Sequence, residues 1–318
     1  MKILLLRGKV PTDRDPKEIA FNSLDESDDI YEHIACQLGN ESAEVLYWGG
    51  KRLVLYAENL CVRWIPDFRK HTRWIEPDVI WARGGFDEYR AILKKSPNAI
   101  KIYYGAGKRF LPDIHTKYDL TLQDSFEQHA IAQNKFPDMK HVIWPKPAAP
   151  MFTPMEVEKK YDICFIANGT QKDIKGIPFI YNHIPRNLKC LHLGLPSDLN
   201  VPNNVTCKRV LKKDMPKYIN QCRVGVVPYK EKDSAPRAMA EMIACGLPVV
   251  ALDRVRAGET LAYITTKECF WDTVENILDK SIKVYSAMEI RNWYNENMSI
   301  PVAVDFLRRV INGIKKDK

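Results

Sequence analysis

Residues 237–252 constrain the fold of this chain more tightly than any other stretch. Ala238, Met239, Met242, Ile243 and Ala244 fall on one face at helical spacing, and Cys245-Gly246 supplies a helix stop. Leu247-Pro248-Val249-Val250-Ala251-Leu252 then follows as an unbroken apolar run. Such a run suits a strand buried on both faces of a parallel sheet, an arrangement that needs crossover helices. Upstream, Ser234 can cap the helix and Pro236 fits its first turn. Asp233 and Glu241 stand eight residues apart, one at the helix N-terminus and the other about two turns along. An anion docked on that N-terminus would have both carboxylates nearby as acceptors for hydroxyl groups. A nucleotide-sugar offers that set: a diphosphate flanked by ribose and hexose hydroxyls. An ordinary buried helix–strand unit also carries a glycine and an apolar strand, but the length and order of this stretch are hard to reach by chance.

The rest of the chain repeats the alternation of short apolar strands with helices, which is the pattern of α/β layers. In the first half, 3–6, 44–47, 79–82, 100–103, 120–122 and 141–143 read as strands, with helices near 30–38, 86–94 and 125–133. Residues 145–160, PKPAAPMFTPMEVEKK, interrupt the rhythm with clustered prolines and few apolar side chains, and read as a linker. The second half restarts with strands at 161–167, 188–193, 224–227 and 248–252 and helices near 177–184, 215–222 and 237–245. Ile300, Val304, Leu307, Ile311 and Ile314 recur four, three, four and three residues apart, forming an amphipathic terminal helix with Pro301 in its first turn. Two Rossmann-like domains are the simplest architecture.

With 318 residues the chain suits two domains of ordinary size. A net charge of +8 favours an anionic partner, whether nucleotide, phospholipid surface or nucleic acid. Lys and Arg are spread along the whole chain, so a solvated basic surface accounts for the charge equally well. The 8 cysteines form no CxxC pair and no regular spacing, which argues against zinc and against a disulfide framework. Cys164, Cys190, Cys222 and Cys245 read as small buried hydrophobes, and a reducing compartment fits them. The apolar segment at Met1–Arg7 is too short for a signal peptide and reads as a first strand, and no run approaches membrane-spanning length. The expected location is cytoplasmic, with peripheral attachment to a membrane surface as a variant.

The stretch from Asp233 to Val250 resembles the Glu-x7-Glu region of retaining GT-B glycosyltransferases of the family-4, glycosyl transferases group 1, type. Glu241, Ala244, Cys245, Gly246, Pro248, Val249 and Val250 match that pattern, and Asp233 stands where its first Glu is expected. Residues 161–178 are similar to the family's phosphate-gripping segment. There Lys175-Gly176 matches, whereas Thr170 follows Gly169 where the family has Arg; Lys172 is the nearest cation and Arg237 a possible source of the guanidinium. His141–Pro147 with Phe152-Thr153-Pro154 also looks like the family's junction between domains.

The resemblance implies a GT-B fold: two Rossmann-like domains facing across a cleft, with the C-terminal helix crossing back to the N-terminal domain. The implied boundaries are 1–150 for an acceptor-side domain, 151–298 for a nucleotide-sugar-binding domain and 299–318 for the terminal helix. The implied reaction moves a sugar from a nucleotide-diphosphate donor to a saccharide, lipid-linked or other acceptor, with retention and without metal or cofactor. Asp233, Arg237 and Lys175 are the expected catalytic residues, and Glu241, with Lys172, Gly169, Ser234 and Ala235, binds the donor. In the first domain Gly84, Gly85, Lys108 and Arg109 follow strand ends, where α/β sites lie. The family's donor-contacting His has no match; His115 and His129 read as surface or satisfied histidines. The alternatives are a transferase acting on DNA bases, a nucleotide-sugar epimerase and a non-catalytic nucleotide-sugar-binding module.

Overall fold

The computed structural model describes residues 1–9, 29–48, 54–57, 59–65, 76–84, 89–105, 118–169, 172–195, 199–229, 237–252 and 261–317. The chain divides into two compact units, one of Met1–Pro145 with Ile300–Lys318 and the other of Lys146–Ser299. Each is built on its own largely parallel sheet.

The first unit contains β1 (Lys2–Lys9), β2 (Ser42–Trp48), β3 (Val54–Ala57), β4 (Leu60–Ile65), β5 (Val79–Arg83), β6 (Ile100–Tyr104), β7 (Leu120–Gln123) and β8 (Lys140–Ile143). Their order across the sheet is β3-β4-β2-β1-β5-β6-β7-β8, and only β3–β4 is antiparallel. Ile3, Leu4, Leu5 and Leu6 are all fully buried, as are Val79–Ala82, because helices cover both faces. Helix α1 (Ile30–Leu38) starts at Asp29, whose carboxylate accepts the Tyr31 N–H at 2.9 Å. Helix α2 (Tyr89–Lys95) packs Tyr89 and Ile92 against Leu4, Leu6 and Ile80. Helix α3 (Phe126–Lys135) is capped by Ser125. The terminal helix, Ile300–Asp317, belongs to this unit: Ile300, Val304, Leu307, Ile311 and Ile314 are all buried, and Arg308 donates to the Gln37 carbonyl at 2.6 Å.

The second unit has β9 (Tyr161–Ile166), β10 (Cys190–Leu193), β11 (Val205–Lys208), β12 (Cys222–Val227), β13 (Val249–Leu252) and β14 (Ala262–Thr265). The order β11-β10-β9-β12-β13-β14 is parallel throughout. Helices α4 (Lys172–Lys175), α5 (Ile177–His183), α6 (Met215–Asn220), α7 (Arg237–Ala244), α8 (Phe270–Leu278) and α9 (Ala287–Asn297) lie between and after these strands. The stretch that most constrains the sequence forms the β12–α7–β13 crossover. Gly246 ends α7 at φ 76°, and its N–H donates to the Ile243 carbonyl while Leu247 N–H reaches Met242. Cys164, Cys190, Cys222 and Cys245 are buried as expected, and burial pushes the Cys190 thiol pKa up.

Two expectations need correction. The apolar pattern does not mark strands β3, β4, β11 and β14 or helices α4, α8 and α9; β14 sits at a sheet edge with half-exposed residues, so its apolar signal is weak. Residues 145–160 form no helix or strand, yet they are not a bare tether. Ala148, Ala149 and Phe152 are buried, Ala148 N–H donates to the Tyr294 hydroxyl at 2.9 Å, and Asn220 bridges Thr153 and Met155. The helical start at Ser234 and Pro236 lies outside the described residues, and α7 is described from Arg237. Among the described residues no helix is long and apolar enough to cross a membrane.

Candidate functional site

In a parallel α/β sheet the loops leaving the strands gather at the carboxyl edge, and that edge is where ligands bind. In the second unit the chain leaves β9 at Ala167–Gly169, β10 at Gly194–Leu195 and β12 at Pro228–Tyr229. Gly169 N–H donates to the Leu195 carbonyl at 3.0 Å and ties the first two exits together. The buried Tyr229 donates its hydroxyl to the Ile166 carbonyl at 2.9 Å, fixing the third exit against the first.

Two charged side chains meet around Tyr229. The Lys175 ammonium stands 4.1 Å from its ring centroid, within cation–π range. Glu241 lies close enough on the other element that burial first, and its carboxylate second, raise the Tyr229 pKa. The turn that delivers Lys175 depends on Gly176. This residue takes φ 73°, and a Cβ there would fall 2.2 Å from the Pro228 carbonyl oxygen. The matched Lys-Gly pair therefore places a cation by letting its own turn lie on the end of β12.

Glu241 is buried, and it is α7's only charged residue after Arg237. Its Oε1 accepts from Lys212 Nζ at 3.0 Å. This partner comes from the short 3-10 turn Lys212–Asp214 ahead of α6. Lys212 Nζ is also 5.8 Å from the Phe152 ring centroid. Helix α7 is clamped at its other end by Arg291 of α9, which donates at 2.7 Å to both the Ala244 and Phe152 carbonyls. Ser286 and Glu289 close a capping box on α9 itself.

Sequence reasoning missed Lys212, which reads as part of a solvated Lys-Lys pair, and also His192. In β10, fully buried, His192 places Nε2 3.0 Å from the Ala167 carbonyl and Nδ1 2.8 Å from the Tyr181 hydroxyl. Since the carbonyl only accepts, Nε2 carries the proton and Nδ1 takes the tyrosine's. Burial lowers the His192 pKa, which favours this neutral tautomer.

Of the remaining expected residues, Asp233, Ser234, Ala235, Gly85, Lys108 and Arg109 lie outside the described residues, as does the side chain of Lys172. Gly84 follows β5 at φ 87° and donates its N–H to the Tyr104 carbonyl at 2.9 Å, at the carboxyl edge of the first sheet. His129 lies on α3 with Nε2 3.2 Å from the His141 carbonyl. Lys175, Lys212 and Glu241 stand beside the carboxyl edge of the second sheet, two cations and a carboxylate suited to an anion with hydroxyl groups next to it.

A comparison with curated protein sequences finds no match. Solved structures match over the whole chain. Trehalose-6-phosphate synthase from E. coli, solved with UDP-2-fluoro glucose, is 10% identical with a TM-score of 0.69, covering 98% of this chain and 99% of that one. Sucrose-phosphate synthase from Thermosynechococcus elongatus is 11% identical with a TM-score of 0.70, covering 100% of each. An α,α-trehalose-phosphate synthase (UDP-forming) from Burkholderia xenovorans, in complex with glucose-6-phosphate, is 9% identical with a TM-score of 0.65, covering 98% of this chain and 100% of that one. At these identities the likeness establishes the fold, which is GT-B. Residues 160–280 match the family described as glycosyl transferases group 1, and this segment holds Lys175, Lys212 and Glu241. The second unit is thus a group 1 glycosyltransferase domain, within a chain that has the GT-B glycosyltransferase fold.

Proposed function

We propose that the chain transfers a hexosyl group from a nucleoside-diphosphate sugar held by its second unit, with retention of configuration and without a metal ion. A uridine diphosphate donor is the first to test, because the structural neighbours include a UDP-2-fluoro glucose complex and a UDP-forming synthase. The observation that carries the reading is the buried Glu241 carboxylate paired with Lys212, with Lys175 over the Tyr229 ring, inside the segment that matches the family.

In this reading Glu241 accepts hydrogen bonds from the ribose hydroxyls. Lys175 and Arg237 face the diphosphate, with Lys172 and the Gly169, Ser234 and Ala235 backbone beside it. Asp233 takes a sugar hydroxyl. Gly84, Gly85, Lys108 and Arg109 are the residues proposed for the first unit's side of the reaction. The bond from the anomeric carbon to the diphosphate oxygen breaks as the acceptor oxygen bonds to that carbon from the same face. The departing phosphate oxygen takes the acceptor's proton, so no protein nucleophile is needed. Fixed cations stabilise the charge that builds on the leaving group.

The test is a panel of nucleotide-sugars offered to the full chain, read by thermal stabilisation and by release of free nucleotide. A donor that stabilises the protein and is turned over supports the proposal. Stabilisation without turnover under any acceptor identifies a binding module, and a panel with neither response defeats the reading.

A further inference from the structure

The carboxyl edge of the first unit's sheet carries a second group of charged and aromatic side chains. Tyr47 of β2 is in register with Arg7 of β1, and Arg83 of β5 with Tyr104 of β6. The pairing of Leu6 with Ala82 sets the two arginines at the same level on neighbouring strands. Tyr31, in the first turn of α1, receives both: the Arg7 and Arg83 guanidinium carbons lie 4.6 and 4.5 Å from its ring centroid.

The carboxylates of this group are already engaged. Asp29 accepts from Arg7 and caps α1, Glu32 accepts from the Tyr47 hydroxyl at 2.5 Å, and Asp124 accepts from the Tyr104 hydroxyl at 2.8 and 3.0 Å. What is left over donates. Arg7 Nε and Nη1, Trp81 Nε1 and Trp144 Nε1 are buried without acceptors. Burial pulls the Arg7 pKa down, but Asp29 and the nearby tyrosines more than reverse this, so the guanidinium keeps its charge. Among the described residues Arg83 makes no ion pair. Two guanidiniums over one ring repel each other, and unmatched buried donors are uncommon in folded proteins.

We propose that Arg7 and Arg83, over Tyr31, bind a phosphomonoester, and that this is the phosphate of the acceptor. The second clause rests on the transferase reading above; the anion site does not. A phosphate supplies several oxygens to donors that lack them, and it matches the planar fork of a guanidinium. The half-buried Arg83 is the reachable member. Arg7 Nε and Nη1 are shut off from solvent, so binding includes a local shift that uncovers them.

The experiment titrates the full chain with inorganic phosphate, a hexose monophosphate and the free hexose, following tryptophan fluorescence and the unfolding temperature. The same titrations are made with Arg83→Gln and Arg7→Lys, and UDP is titrated separately. Phosphate and the hexose monophosphate should bind and the free hexose should not. Both variants should weaken phosphate binding by about tenfold or more and leave UDP affinity unchanged. If Arg7→Lys does not fold, Arg83→Gln decides alone. Phosphate that fails to bind, or binds Arg83→Gln as tightly as the parent, overturns the proposal. So does phosphate that UDP displaces while Arg83→Gln has no effect. Phosphate binding that depends on Arg83 in a protein that turns over no nucleotide-sugar would leave this site standing and remove the transferase reading.

Discussion

Lys212 Nζ lies 3.0 Å from Glu241 Oε1, and this ion pair joins two elements that are remote in sequence beside the carboxyl edge of the second sheet. The lysine is about four-fifths buried and the carboxylate almost completely so. A pair this enclosed is costly to break on one side, since the survivor stays buried without its counter-ion. The lysine holds the carboxylate at one point of the site and adds a positive charge next to it.

Glu241→Gln keeps the shape of the side chain and removes its charge. If Glu241 takes the ribose hydroxyls, donor affinity should fall about tenfold or more, since charge-assisted hydrogen bonds contribute roughly 1.5–3 kcal/mol. Calorimetric titration with UDP checks this. Unchanged affinity in a folded variant would take Glu241 out of the donor site. Lys212→Met, which leaves the carboxylate buried and unpaired, should destabilise the second unit more than Glu241→Gln does.

Lys175→Ala should act on turnover more than on binding, because charge gathers on the diphosphate as it leaves. Removing one donor of this kind typically slows the step by about 10²–10³. Steady-state rates with and without the substitution measure it. A variant with near-normal kcat would show that the phosphate is gripped elsewhere.

Gly176→Ala should cost stability. At φ 73° an L side chain adds about 1–2 kcal/mol of backbone strain, and a Cβ 2.2 Å from the Pro228 oxygen forces the turn off β12. Urea unfolding reads the first effect. Loss of donor affinity in the folded fraction reads the second, because the turn positions Lys175. An alanine variant as stable as the parent would contradict the close packing of this turn on Pro228.

Below neutral pH, stability should fall with His192 as one cause. Its folded pKa is lowered by burial, so its contribution is fully present above the unfolded value of about 6.5 and is lost as pH falls below it. In that window the unfolded chain binds more protons, so stability rises with pH, by at most about 1.4 kcal/mol per unit for one group. His141 in the first unit shifts in the same direction, also mainly through burial. Urea midpoints of the parent and His192→Gln between pH 7 and pH 5.5 should diverge at the upper end and converge at the lower. Parallel midpoints across the range would mean that His192 is not held neutral.

The sequence alone determined the α/β class, the β12–α7–β13 crossover and the terminal helix, because each rests on periodicity and local turn chemistry. The all-apolar run at 249–252 can only be a strand covered on both faces, and Gly246 after α7 ends the helix wherever the unit packs. The stripe from Ile300 to Ile314 is legible in the same way. The resemblance around Glu241 and Lys175 is legible for the same reason, since its residues are close in the chain, and they fall in the segment that matches the family. The edge strand β14 was not legible, since half-exposed residues carry little apolar signal. Nor were Lys212, His192, Arg7 and Arg83. Their spacing says nothing about them, because each acquires its partners from a different element: Lys212 from α7, His192 from the exit of β9 and from α5, and the two arginines from α1. Only the register of neighbouring strands and the packing of helices on them bring such side chains together. Burial then decides which of them stay charged, which stay neutral and which are left with a donor to offer.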